Sequence, residues 1–154
     1  MADKEYIVVE SGDKEQPFQY AVGMHGSKFF KELKERRVFL GIKCPTCKKV
    51  YIPPRRVCGD CFVEMKDFTE VGPKGKIGTF TILRYAFIDP ETGEQKPVPY
   101  GYGFIHLDGA DTFFQHYISI DDEKKIKVGA RVEPVFSEEH KGTIKDILYF
   151  RVID

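Results

Sequence analysis

Four cysteines in two pairs, Cys44-Pro-Thr-Cys47 and Cys58-Gly-Asp-Cys61 with ten residues between them, constrain this 154-residue chain more than any other feature. A Cys-x-x-Cys turn aims two thiolates at one point, and two such turns close a tetrahedral four-sulfur site of the kind that holds Zn²⁺. The short separation implies a compact ribbon with a brief hairpin between its knuckles. Two disulfides, or iron in a rubredoxin-like site, are the alternatives. The opening MADKEYIVVESGDKEQ lacks a basic segment followed by an apolar one, so no secretory signal is read and a cytoplasmic location is expected, where thiols stay reduced. Rubredoxin-like iron knuckles usually carry glycine after the second cysteine of each pair; Lys48 and Phe62 stand there instead, which favours zinc. A site closed by four protein ligands has no position for water or substrate, so the metal is expected to be structural, one per chain. No fifth cysteine remains as a nucleophile.

The rest of the chain suits a folded protein rather than a disordered one: 42% of residues are hydrophobic and 14% aromatic. No apolar run approaches the roughly 20 residues of a membrane-spanning helix, so no membrane partner is expected. Tyr6–Val9 is strand-like, and Phe18–His25 has no defined pattern. Ser27 is a credible N-cap for a helix over 28–37, with Phe29, Phe30 and Leu33 as its apolar stripe. Val38–Lys43 and Val50–Ile52 read as the arms of the ribbon hairpin, ended by Pro53-Pro54, neither of which can donate a ladder hydrogen bond. Five strand candidates follow: Lys76–Phe87, Tyr100–Leu107, Thr112–Ser119, Arg131–Phe136 and Ile147–Val152, with turn signals at 89–94, 108–111, 121–124 and 140–142. Five short strands without a long helix fit a small barrel of the OB type. The expected fold is therefore mainly β: an N-terminal segment over 1–37 carrying the helix, a rubredoxin-like zinc ribbon over 38–70, and a five-stranded OB-type barrel over 71–154.

Equal numbers of basic and acidic residues, 24 of each, hide an uneven distribution. Ten basic residues and two acids between Lys28 and Arg56 give that stretch a charge of +8, so the remainder carries −8. Such a split points to a face that meets something anionic, against the plainer reading of a solvated helix and hairpin.

With the knuckles, the segment Ile52-Pro53-Pro54-Arg55 resembles the signature of a zinc-ribbon/OB-fold family associated with acyl-CoA metabolism, whose members accompany thiolases. The wider context agrees: a Phe-rich helix before the first knuckle, Gly75-Lys-Ile-Gly-Thr79 with Thr81, Pro99-Tyr100, Leu107-Asp108-Gly109, and Val128-Gly129-Ala-Arg-Val132. The resemblance covers residues 28–153, with Lys48 as a departure from the glycine often seen after the second cysteine. It implies an accessory subunit with no catalytic residues of its own. Its partner would be a thiolase-like or ketosynthase-like subunit that makes or cleaves the C–C bond, while this chain assists acyl-CoA binding or organises that partner. The branch suggested is that of the small subunits of benzylsuccinyl-CoA thiolase.

Coenzyme A presents phosphates, a purine and a narrow apolar arm, so a matching surface needs fixed cations and an aromatic wall. Arg55 and Arg56 follow the rigid Pro-Pro pair, Lys43, Lys48 and Lys49 lie near the same ribbon, and Tyr100 and Tyr102, alternating with Gly101 and Gly103, could face a cleft; the two arginines, the three lysines and Tyr100 are the candidate CoA or partner contacts. The metal ligands are Cys44, Cys47, Cys58 and Cys61. The rival reading is a single-stranded nucleic-acid binder, which also joins a zinc ribbon to an OB barrel. Against it, the barrel half is slightly net acidic, with 11 Lys+Arg and 13 Asp+Glu over 71–154. A purely structural subunit that never touches ligand fits as well. His25, His106, His116 and His140 are scattered and form no ligand pair.

Overall fold

The apolar alternation and the single helical stripe resolve into ten strands and one α-helix in a computed structural model that describes residues 8–10, 19–88, 93–95 and 97–153. Strands β1 (Val8–Glu10) and β2 (Gln19–Ala21) pair antiparallel. The strand expected at Tyr6–Val9 thus falls partly outside the described residues, and the patternless segment 18–25 supplies β2 and the entry to the helix.

Helix α1 spans Gly23–Arg36, beginning five residues before the expected start at Lys28. Ser27 is not its cap. Val22 precedes the first turn, and Ser27 is buried inside the helix. A Cβ on Gly26 would come within 3.0 Å of Val22 Cβ, so that first turn closes tightly over Val22, using a glycine that propensity alone would place outside a helix. Arg37 ends the helix in the left-handed conformation (φ 56°), its N–H returning to Leu33 O at 3.1 Å.

The ribbon sheet has the order β4-β3-β5. Strand β3 (Phe39–Lys43) pairs antiparallel with β4 (Val50–Tyr51), placing Ile42 opposite Tyr51. On its other edge β3 pairs along its whole length with β5 (Asp67–Val71), a strand absent from the sequence expectation.

Strands β6 (Gly75–Leu83), β7 (Tyr100–Leu107), β8 (Phe114–Ile118), β9 (Arg131–Phe136) and β10 (Ile147–Val152) close a barrel in the order β10-β8-β7-β6-β9. This is the expected five-stranded OB-type barrel. Two strands are shorter than expected. β6 stops at Leu83, beyond which Tyr85, Phe87 and Ile88 are exposed. β8 starts only at Phe114, because Thr112 is used elsewhere.

Thr112 and Asp111 cover the outer edge of β4. Thr112 Oγ1 accepts from Ile52 N–H (2.8 Å) and donates to Ile52 O (3.0 Å). Asp111 Oδ2 accepts from Val50 N–H (2.7 Å), while Asp111 N–H donates to Val50 O (2.8 Å). Four bonds from one barrel turn therefore substitute for a missing strand partner and dock the ribbon. Behind this junction, Phe29 and Leu33 of α1, Phe39 of β3, Phe114 of β8 and Phe150 of β10 share one core. Phe39 lies 5.4 Å from Phe114 and 6.0 Å from Phe150, centroid to centroid, so helix, ribbon and barrel are packed through a single aromatic cluster.

Candidate metal centre

Each knuckle is a short turn built twice. Lys48 N–H donates to Cys44 O and Phe62 N–H to Cys58 O, both at 3.1 Å; Cys44 N–H and Cys58 N–H donate onward to Lys49 O (2.9 Å) and Val63 O (3.0 Å). Lys48 (φ 66°) and Phe62 (φ 56°) both occupy the left-handed region where glycine is most at ease. The lack of glycine therefore leaves the turn geometry intact at the cost of local backbone strain. Phe62 is 81% exposed, so no packing of its ring offsets that cost.

The two turns bring the Sγ atoms of Cys44, Cys47, Cys58 and Cys61 within 4.8 Å of one another. Cys47 Sγ and Cys58 Sγ are 3.7 Å apart. Tetrahedral thiolates bound at about 2.3 Å stand about 3.8 Å from each other, so the donor set fits a metal of zinc's size. Cys44 and Cys58 are buried, Cys61 is half-buried and Cys47 is exposed.

The thiols are not equivalent. Tyr51 Oη lies 3.3 Å from Cys58 Sγ, and this hydroxyl contact, aided by backbone N–H groups, pulls the Cys58 thiol down to about 6. The neighbouring Cys47, with burial, pushes the Cys61 thiol up to about 12. A bound cation would take all four as thiolates and displace their protons.

The basic residues singled out in the sequence are spread over several contacts. Lys49 pairs with Asp60 at 2.7 Å, holding that carboxyl below its usual range, and Arg56 pairs with Glu64 at 3.0 Å. Lys48 Nζ donates to Pro45 O at 2.6 Å, and Lys43 is exposed at the end of β3. Arg55 lies over the Tyr51 ring, its guanidinium carbon 4.0 Å from the centroid.

Tyr100 is elsewhere. It starts β7, whereas the ribbon-docking turn follows the end of that strand, about 23 Å away along an extended chain. Tyr100, Tyr102, Tyr117 and Tyr149 line a cleft of about 700 Å³ beside β8 and β10, together with Lys145 and several isoleucines. Tyr117 touches both Tyr100 (5.7 Å) and Tyr102 (5.1 Å), and burial pushes the Tyr102 hydroxyl above its usual value. Farther along the outer face, Phe113 contacts Phe104 and His106 and lies over Gly78, where any Cβ would collide with its ring. β7 and β8 thus present an aromatic band that the sequence reading missed, apart from Tyr100 and Tyr102. The alternating Tyr-Gly-Tyr-Gly-Phe of β7 is the signal that would have found it.

The histidines serve the fold. His25, His116 and His140 lie against backbone carbonyls of Met65, Ile144 and Ser137, and His106 against Phe113. Tyr51, Asp111 and Thr112, which fix the centre and its attachment, had no motif to mark them.

Two family models match consecutive stretches: the rubredoxin-like zinc ribbon domain of ChsH2 over residues 31–66, and the C-terminal OB-fold domain of ChsH2 over residues 68–137. A DUF35 domain-containing scaffold protein of Methanocaldococcus jannaschii is 29% identical over 109 residues, covering 70% of this chain and 73% of that protein. Among solved structures, a DUF35-family protein of unknown function from Sulfolobus solfataricus superposes with a TM-score of 0.61 at 21% identity, covering 85% of this chain and 87% of that one. The Ltp2-ChsH2(DUF35) aldolase gives 0.60 at 20% identity, covering 86% and 98%. At these identities the structural likenesses establish the fold. No helix among the described residues is long and apolar enough to cross a membrane.

Proposed function

Because the chain belongs to the DUF35 family, in which a ChsH2-type zinc ribbon precedes an OB-fold, we propose that it is a non-catalytic subunit with a structural zinc ion, working beside a thiolase-like or ketosynthase-like enzyme. The observation that carries this reading is the convergence of all four cysteines on one closed site, which leaves no thiol for acyl transfer. The name "scaffold" on the archaeal relative, and the aldolase assembly of the structural neighbour, support a companion of a catalytic chain.

The zinc, when bound, would cross-link the two knuckles; the chain's own residues do the rest. Cys44, Cys47, Cys58 and Cys61 hold the ion, and Asp111 with Thr112 transmits that rigidity to the barrel. Lys43 and Lys48, with Arg55, Arg56 and Lys49 on the same ribbon, are the cations we assign to the partner or the CoA phosphates. Tyr100 and its cleft offer an aromatic wall to acyl-CoA. We place the complex in the cytoplasm, where free thiols persist.

The outer aromatic band favours a second reading. It lies on the second and third barrel strands, the face on which OB-folds receive oligonucleotides. Affinity capture from the native host, with and without nuclease, separates the two. A thiolase- or ketosynthase-fold enzyme recovered in near-equal amount and insensitive to nuclease is expected. Companions that vanish with nuclease, or binding that falls steeply with salt, would move the function to the barrel face. Cys44→Ser and Cys61→Ser should each lose the metal and expose 38–66 to protease; retention of one zinc with unchanged resistance would refute the closed site.

A further inference from the structure

Beside the four sulfurs the ribbon gathers Tyr51, Arg55, Gly59 and Asp60. Tyr51 is 4% exposed, and its hydroxyl reaches the interior edge of the cysteine cluster, 3.3 Å from Cys58 Sγ. Gly59 N–H donates to the same hydroxyl at 3.3 Å, which occupies an oxygen lone pair and leaves the phenolic proton for an acceptor. Two acceptors are within range, Cys58 Sγ and, farther off at 3.5 Å, Asp60 Oδ2. Asp60 is already taken by Lys49 at 2.7 Å, so the sulfur is the better served of the two. Cys61 N–H adds a second donor to Cys58 Sγ at 3.4 Å.

The ring of Tyr51 is held from its other side. The Arg55 guanidinium covers it at 4.0 Å from the centroid, and Lys49 Nζ lies 5.9 Å from the centroid. Arg55 reaches this position only because residue 59 is glycine, since a Cβ there would collide with the guanidinium. The spacing from Tyr51 to Arg55 and Gly59 thus places a donor, a planar cation and a gap for that cation around one thiolate.

We propose that Tyr51 is a positioning residue for the metal centre and that Arg55 is its electrostatic clamp. Four thiolates and a divalent ion sum to −2, and burying such a charge calls for donors and cations around the sulfurs. The Tyr51 hydroxyl fixes the Cys58 thiolate by donating to it, and Arg55 both locks the ring and sets positive charge beside the cluster. This rests on the reading that the four cysteines hold a metal, and it gives Arg55 a duty inside the ribbon distinct from contact with a partner or CoA.

The test uses the full chain loaded with Co²⁺ or Zn²⁺. Tyr51→Phe removes only the hydroxyl; Arg55→Met keeps the aliphatic stem without the charge, and Arg55→Lys restores charge without the planar stack. Wild type should take up one Co²⁺ with intense thiolate-to-cobalt charge-transfer absorption. Tyr51→Phe should shift that absorption and weaken zinc affinity in chelator competition by about 10- to 100-fold, the range typical of lost outer contacts to a ligand. Arg55→Met should weaken it less, with partial rescue by Arg55→Lys, and metal-saturated far-UV dichroism should match wild type throughout. A Tyr51→Phe protein with unchanged cobalt spectrum and zinc affinity overturns the positioning role of Tyr51, and an Arg55→Met protein with unchanged zinc affinity overturns the clamp; either leaves the metal site standing. Failure of the wild type to bind cobalt overturns both.

Discussion

Thr112→Val removes a hydroxyl and keeps the side-chain shape, so it isolates the two bonds that Thr112 makes to Ile52. Those bonds, at 2.8 and 3.0 Å, serve the N–H and C=O of a residue that is 3% exposed. Each neutral bond contributes about 1 kcal/mol net, and an N–H left buried without a partner adds about 1 kcal/mol more. A loss of about 3 kcal/mol is therefore expected. Thr112→Ser should lose less than about 1 kcal/mol, because it keeps both bonds and gives up one methyl group. Urea unfolding of the zinc-saturated protein at fixed free zinc measures both, since the metal itself stabilises the folded state. The β4 amides should also exchange faster in Thr112→Val than those of β7, because the ribbon edge loses its cover first. A loss below about 0.5 kcal/mol for Thr112→Val, a half of what one neutral bond contributes, would show that the turn does not dock the ribbon as its geometry indicates.

Two further outcomes follow from other parts of the fold. Lys48→Gly and Phe62→Gly relieve left-handed strain of about 1–2 kcal/mol per residue but add unfolded-state entropy of about 0.4–1 kcal/mol, so each should be neutral to mildly stabilising in thermal melts; a marked drop in melting temperature would show that these side chains stabilise the knuckles. Arg131 grips Asp108 through two bonds of 2.7 and 2.6 Å and holds its carboxyl below the usual range. A depressed carboxyl contributes stability above its unfolded value of about 4, lost as pH falls through the lower folded value; screened by solvent, the pair is worth about 0.5 kcal/mol. Asp108→Asn should therefore cost about that much at pH 7 and nothing near pH 2, and an equal loss at both would refute the charge argument.

The cysteine spacing, the five barrel strands and the ribbon hairpin were legible because each rests on local chemistry: paired thiolates, period-two alternation and turn residues. Strand β5 was missed because Asp67–Val71 is half-exposed and polar, and its pairing with β3 is a long-range matter. Helix α1 was started late because a preferred cap residue, Ser27, stands inside it, while the real start uses Gly23 and Gly26. Thr112 read as the first residue of a strand because its threonine suits one; its hydroxyl instead completes another sheet's edge. Tyr51 and Arg55 were visible as residue types, yet only the folded ribbon brings the hydroxyl to Cys58 and the guanidinium over the ring.

The most direct test of the accessory role is to measure C–C bond cleavage or formation by the enzyme captured with this chain, before and after stripping the chain away and adding it back zinc-loaded. Activity that falls on removal and returns on addition, with none from this chain alone, is the expected result. A captured enzyme that works equally well without it, or turnover by this chain alone, would contradict the role assigned to it.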